Sequence, residues 1–159
     1  MPTSDPQTAG CIFCAIVGGD APASFLYQDD IVVAFMDIRP VQPGHLLVVP
    51  RMHAELIPEL EDAVLATMWS VATRLNRALR AGAPSAEAVS VYVADGEAAG
   101  QEIPHVHIHL IPRHADDGFG FRFPPGYGAQ PTRAELEAIA DRIRRSAIRL
   151  TDAPGLRGN

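Results

Sequence analysis

The sequence is short of the features that would send it to a membrane or onto a nucleic-acid duplex. Its longest aliphatic runs, such as Leu46 to Val49, fall far below the roughly 20 apolar residues of a bilayer span. The first ten residues lack the basic start and apolar stretch of a signal peptide. With both features missing, the cytoplasm is the expected compartment. Positive charge is also in short supply. Arg plus Lys total 13 against 19 for Asp plus Glu, and the net charge is -6 with His neutral. Duplex binders usually carry a basic stripe, so long nucleic acid is not expected as the main ligand. A mononucleotide remains possible, because a few local donors can hold one phosphate. Cysteine is scarce as well, with only Cys11 and Cys14, spaced Cys-x-x-Cys. In a reducing compartment that spacing points to metal or redox work rather than a structural disulfide.

What the chain does have suits one domain with a core. It is 159 residues long and 47% apolar, with an ordinary charged fraction. Residues 1–10 read as a flexible tail, 11–150 as a single domain and 151–159 as a flexible end. Ser24 to Gln28 and Ile31 to Asp37 read as strands joined by a tight turn at Asp29-Asp30. Residues 38–44 hold two prolines and a glycine and read as a loop. His45 to Pro50 reads as a short buried strand. From Glu59 to Arg80, Leu60, Val64, Met68, Val71, Leu75 and Leu79 recur at helical spacing.

Ala88 to Ala94 alternates as a strand, 95–100 is a loop, and His105 to Pro112 is another strand. Gly118 to Pro131 is rich in Gly and Pro and carries Phe119, Phe121, Phe123 and Tyr127. It could be a flap over a site, a piece reaching a partner subunit, or a surface loop. A last helix begins at Thr132, where Thr132 and Glu135 form a capping box. Its apolar stripe is Leu136, Ile139, Ile143, Ala147 and Leu150. Strands joined by short turns predict an α+β fold with an antiparallel sheet.

Three of the six histidines fall at 105, 107 and 109. Side chains alternate along a strand, so these imidazoles are expected on one face, about 6.6 Å apart, with Val106, Ile108 and Leu110 on the other. A solvated face would mix Thr, Lys, Glu and Ser. Repeated imidazole points to groups that are neutral nucleophiles or metal ligands near pH 7. Two chemistries use such a row. One is a three-histidine metal centre with an open position for water, serving a metal-dependent hydrolase. The other is covalent catalysis, in which a neutral imidazole attacks phosphorus and a neighbouring one donates a proton.

The run Pro104-His105-Val106-His107-Ile108-His109-Leu110-Ile111 resembles the signature of the histidine triad family, His-x-His-x-His followed by two apolar residues. Four upstream segments match in order. They are Cys11-Ile-Phe-Cys-Ala-Ile16, Ala34-Phe-Met-Asp37-Ile-Arg-Pro, Pro43-Gly-His45-Leu-Leu-Val-Val-Pro-Arg-Met-His53 and Gly96-Glu-Ala-Ala-Gly100-Gln101. The likeness spans roughly residues 11–114.

The resemblance implies a five-stranded antiparallel sheet with two helices, pairing as a two-fold homodimer whose sheets run on across the interface. It implies a nucleotide hydrolase or transferase acting on a nucleoside phosphoramidate or dinucleoside polyphosphate, with a purine nucleotide as ligand. A nucleotide-binding module with little catalysis is the alternative. His107 would be the nucleophile, His109 a phosphate contact that helps the leaving group, and His45 a support for the triad. Asp37 would bind the ribose hydroxyls. Phe13 and Ile16 would pack on the base, although core packing serves them as well. Gly100 and Gln101 would bring backbone N–H groups to the α-phosphate. Cys11, Cys14, His53 and His105 are placed like the structural zinc ligands of a bacterial branch, one zinc per chain.

If His105 faces zinc and His107 faces a nucleotide, the one-face arrangement must bend near the start of the strand, where Pro104 limits pairing. Two positions depart from the family pattern. Ala94 stands where many members have Asn or Gln, and Glu102 where many have Ser or Thr. A carboxylate aimed at phosphate would repel it, so Glu102 is expected to point elsewhere.

Overall fold

The computed structural model describes residues 10–83 and 86–146. The expected tail, apart from Gly10, and the expected C-terminal end lie outside them, as do Ala147 and Leu150. The described chain forms two compact units, one reaching Phe119 and the other starting at Gly120.

The first unit is built on an open five-stranded antiparallel sheet. Its strands are β1 (Phe25–Gln28), β2 (Val32–Met36), β3 (Leu46–Pro50), β4 (Ala88–Tyr92) and β5 (Ile108–Arg113), in the order β1-β2-β3-β5-β4. The expected hairpin turn forms because Asp29 Oδ1 accepts the N–H groups of Ile31 and Val32 at 2.8 and 2.7 Å. Asx side chains commonly close turns this way.

The interior strands β2 and β3 are buried on both faces. On one face Val32, Ala34, Leu46, Val48 and, from β5, Ile108 and Leu110 pack against Met68, Val71 and Leu79 of the helix α2 (Asp62–Gly82). On the other, Val33, Phe35, Leu47 and Val49 pack against Cys11, Phe13 and Ile16. Each fully buried aliphatic side chain contributes about 1.5–3 kcal/mol. The strict alternation on β2 and β3 therefore fixes both layers at once.

The second layer rests on a helix that the sequence reading lacks. Residues Ile12–Gly18 form α1, closed by Gly19 in the left-handed region at φ 85°. Among the described residues the expected two-helix count is therefore corrected to three: α1, α2 and, in the second unit, α3 (Arg133–Ser146). The capping box of α3 is present. Glu135 Oε2 accepts the Thr132 N–H at 2.8 Å, and Thr132 Oγ1 accepts the Glu135 N–H at 3.3 Å.

A second correction concerns the histidine strand. β5 begins at Ile108, so His105, Val106 and His107 precede it. Their backbone is committed elsewhere. The His105 N–H donates to Ile103 O and the Val106 N–H to Ala54 O, both at 2.8 Å. Pro104 has no N–H to offer a neighbouring strand.

Candidate functional site

Alternation along β3 carries His45 to the same face as Leu47, and Leu47 is the cross-strand partner of His109. Tyr92 is the partner of His109 on its other side. The turn before His45 needs Gly44, which sits at φ 98° with Pro112 Cγ 3.0 Å from where a β-carbon would lie. These placements bring His45, His107 and His109 together. The rings of His107 and His109 are 4.6 Å apart, and Tyr92 stacks on His109 at 4.5 Å and 12°.

Hydrogen bonds set the proton positions on each ring. The His107 Nδ1–H donates to the carbonyl of His105 at 2.7 Å, which leaves Nε2 with a free lone pair. The Val41 N–H donates to His45 Nδ1 at 3.3 Å. His45 Nε2–H then donates to His109 Nδ1 at 3.0 Å, so His109 carries its proton on Nε2. Asp37 Oδ2 lies 3.4 Å from His45 Nδ1. The outcome is a lone pair on one imidazole beside an N–H on the next.

Burial dominates the titration of all three rings. It lowers His45 and His107 and takes His109 down to about 4, because a low-dielectric surrounding disfavours the imidazolium. An unfolded chain protonates His109 near its ordinary 6.5, whereas the folded chain keeps it neutral to about 4. The unfolded state therefore binds more protons in that window, and stability is lost as pH falls through it. The melting temperature should drop from pH 6.5 to pH 4, with a shallower slope in His109→Gln. Identical slopes would contradict a buried neutral His109.

The three triad rings do not converge on one point. His105 turns away from His107 and His109 and presents Nδ1 to Cys11 Sγ at 3.4 Å and Cys14 Sγ at 3.6 Å. Its Nε2–H is held by the carbonyl of Pro50 at 2.9 Å. His53 Nδ1 lies 3.3 Å from Cys14 Sγ. One ligand atom from each of Cys11, Cys14, His53 and His105 falls within 4.8 Å of the others. A tetrahedral ion with sulfur at about 2.3 Å and nitrogen at about 2.0 Å has S···N edges of about 3.5 Å, which these distances match. A set of two thiols and two imidazoles is closed, with no position for substrate. Among the described residues His105, His107 and His109 do not form a three-histidine metal centre.

Phe13 and Ile16 are both buried in the α1 layer. Phe13 lies edge-on to His107 at 5.1 Å and to His105 at 5.9 Å, so it bridges the thiol cluster and the paired imidazoles. Asp37, besides facing His45, accepts the Arg39 N–H on Oδ1 at 2.8 Å.

The loop before the triad is braced from within. Gln101 Oε1 accepts the Gly96 N–H at 2.7 Å, and Nε2 donates to the carbonyls of Glu55 and Ile103 at 2.8 and 3.0 Å. The N–H groups of Gly100 and Gln101 close onto Glu97 O and Gly96 O at 2.8 and 3.2 Å. These two residues shape the loop, and their own N–H groups are spent inside it. Glu102 accepts from Arg39 Nη2 at 2.7 Å. Ala94 is buried. Sequence reasoning gave Tyr92 and Arg39 no role. The parity of 90, 92 and 94 could have put Tyr92 on one face of β4, but its register against His109 is a tertiary fact.

Among the described residues no helix is long and apolar enough to cross a membrane. Comparison with known proteins agrees with the geometry. A sequence model of the HIT domain matches residues 18–116. An uncharacterized HIT-like protein of Borreliella burgdorferi is 40% identical over 70% of this chain and 81% of its own length. An adenosine 5′-monophosphoramidase of Schizosaccharomyces pombe is 34% identical over 84% and 95% respectively. The solved structure of a zinc-bound histidine triad family protein from Mycobacterium smegmatis superposes with a TM-score of 0.67 at 34% identity, covering 88% of this chain and 99% of that one. The fold, the paired imidazoles and these likenesses together place the chain in the HIT, or histidine triad, family.

Proposed function

We propose that this protein hydrolyses or transfers at the α-phosphate of a nucleoside phosphoramidate or dinucleoside polyphosphate, through a nucleotidyl-His107 intermediate, releasing a nucleoside monophosphate. The observation that carries this reading is the 2.7 Å bond from His107 Nδ1–H to the His105 carbonyl. It keeps Nε2 unprotonated without any need to remove a proton first. The relative named an adenosine 5′-monophosphoramidase supports the same reading.

In the first step the Nε2 lone pair forms a bond to phosphorus and the bond to the leaving group breaks. The leaving nitrogen or oxygen takes the proton of His109 Nε2–H. A phosphate arriving at His109 brings negative charge, which favours the imidazolium form. The extra proton comes from solvent with the substrate and sits on His109 Nδ1. His45 Nε2 accepts it at 3.0 Å, and the His45 proton has moved to Nδ1 beside Asp37 Oδ2. His109 is thus left as neutral imidazole when its Nε2–H is given up. In the second step water attacks phosphorus, the P–N bond to His107 breaks, and the water proton goes to His109. Asp37 would take the ribose hydroxyls, and the base would lie on the Phe13 side of His107. Cys11, Cys14, His53 and His105 would hold zinc, which supplies a structural cross-link when bound.

Rapid mixing with adenosine 5′-phosphoramidate, followed by quenching and intact-mass measurement, tests the reading. A transient species heavier by one adenylyl group, mapped to His107, should appear before AMP accumulates. Turnover of neither phosphoramidates nor diadenosine polyphosphates would leave a binding module as the better account.

A further inference from the structure

We propose that Gln42 is a positioning residue that sets how readily the His45–His109 pair takes up a proton. Its role in turnover rests on the reading of His107 and His109 given above.

His45 Nδ1 lies between two groups that make opposite demands on it. The Val41 N–H is 3.3 Å away and needs a bare nitrogen. Asp37 Oδ2 is 3.4 Å away and favours a protonated one. The reaction uses both states in turn. In the free protein Nδ1 is bare, and His45 Nε2–H donates to His109 Nδ1. When a proton arrives with the substrate, His45 Nδ1 carries a hydrogen and the Val41 N–H loses its acceptor. After the second step His109 holds the extra proton again, and it returns to solvent as the nucleoside monophosphate leaves. The Val41 N–H therefore opposes charging of the pair and assists its discharge. The two distances are nearly equal, so a small displacement of Val41 decides which neighbour prevails.

Val41 has little packing of its own to hold it. Ile38 is 87% exposed and Val41 39%. The turn is tied down at the next residue. The Gln42 carbonyl accepts the His45 N–H at 2.9 Å, and Gln42 Nε2 donates to the carbonyl of Asp117 at 3.1 Å, 75 positions away. Asp117 is a firm anchor, with its side chain only 2% exposed. Its carboxylate accepts from Arg113 Nε, from Arg113 Nη2 at 2.8 Å and from the Phe119 N–H at 3.0 Å. Arg113 ends β5 and also donates to Ser90 Oγ of β4 at 2.8 Å. The Val41 N–H is thus positioned from the two strands that carry His109 and Tyr92.

Asp37 after β2, His107 before β5 and Tyr92 on β4 face the two rings. Beyond burial, which keeps both rings neutral, His107 opposes their charging and the Asp37 charge favours it. A change at Gln42 leaves all of these groups in place.

Gln42→Met keeps the length of the side chain and removes the donor. Titration of free, nitrogen-15-labelled protein, followed by the imidazole nitrogen shifts, reads both rings without substrate. The proton affinity of the pair should rise by about threefold to tenfold, the scale of one neutral hydrogen bond. AMP should bind more tightly by the same factor near neutral pH. Val41→Pro, which has no N–H, should act alike with Gln42 intact. A role confined to folding would lower the melting temperature and leave the titration unmoved. An unmoved titration in Gln42→Met, whatever its melting temperature, overturns the proposal and leaves the nucleophile reading standing. A shift in Val41→Pro alone also overturns the part of Gln42. Wild-type protein that forms no adenylyl adduct on His107 removes the role in turnover, even where the titration moves.

Discussion

Replacing His107 by alanine or asparagine should lower kcat by on the order of 10⁴-fold or more, the scale seen when a covalent nucleophile is removed. The fold should survive. His107 precedes β5, and asparagine can keep a donor near the His105 carbonyl. Both variants should still bind AMP, because Asp37, His45 and His109 are untouched. The adenylyl adduct should vanish with the activity. His109→Gln should behave differently. Its loss should be large for amine leaving groups, which need a proton, and small for a leaving group that departs as a stable anion. If both His107 variants turn over substrate at an appreciable rate, His107 is not the nucleophile, whatever its geometry.

The second large effect concerns the thiol cluster. Purified protein grown with zinc should hold one zinc per chain, and Cys14→Ser should lose it. The melting temperature should then fall by on the order of 10 °C. Cys11 occupies the N-terminal boundary of α1, and Phe13 of that helix touches both His105 and His107. Loss of the ion should thus loosen the α1 layer first and activity second. Chelation distinguishes this arrangement from a catalytic metal. Here activity should decay with the slow loss of structure, whereas a metal at the reacting phosphorus would stop turnover as soon as it is removed. Burial and the adjacent Cys11 push the Cys14 thiol up to about 11, so binding must displace a proton and should weaken as pH falls. Wild-type protein with no zinc and two freely titrating thiols would refute the cluster as a metal site.

Much of the sheet was legible in the sequence because β2 and β3 alternate around two apolar layers and because Asp29 and Gly44 mark their turns. The long helix was legible from the spacing of Met68, Val71 and Leu79. α1 was not. It has only seven residues and follows Cys11 with no side-chain cap, so its one boundary signal is the glycine pair at 18 and 19 that closes it. The late start of β5 was hidden for a different reason. His105 to Pro112 reads as unbroken strand, but Ala54, far away in sequence, captures the Val106 N–H. That single competition turns His105 out of line with His107. The metal cluster joins residues separated by up to 94 positions, a closure that spacing cannot foretell and that only the family resemblance suggested. Tyr92 and Arg39 remained unread because their partners lie on other strands and loops.

The stacking of Tyr92 on His109 has a practical consequence. Two nearly parallel rings 4.5 Å apart place the imidazole protons of His109 in the shielding cone of the phenol. Their proton magnetic resonances should lie upfield of those from the other five histidines. One imidazole in this site can thus be followed by name in an ordinary spectrum, as substrate arrives and leaves, without isotopic labels.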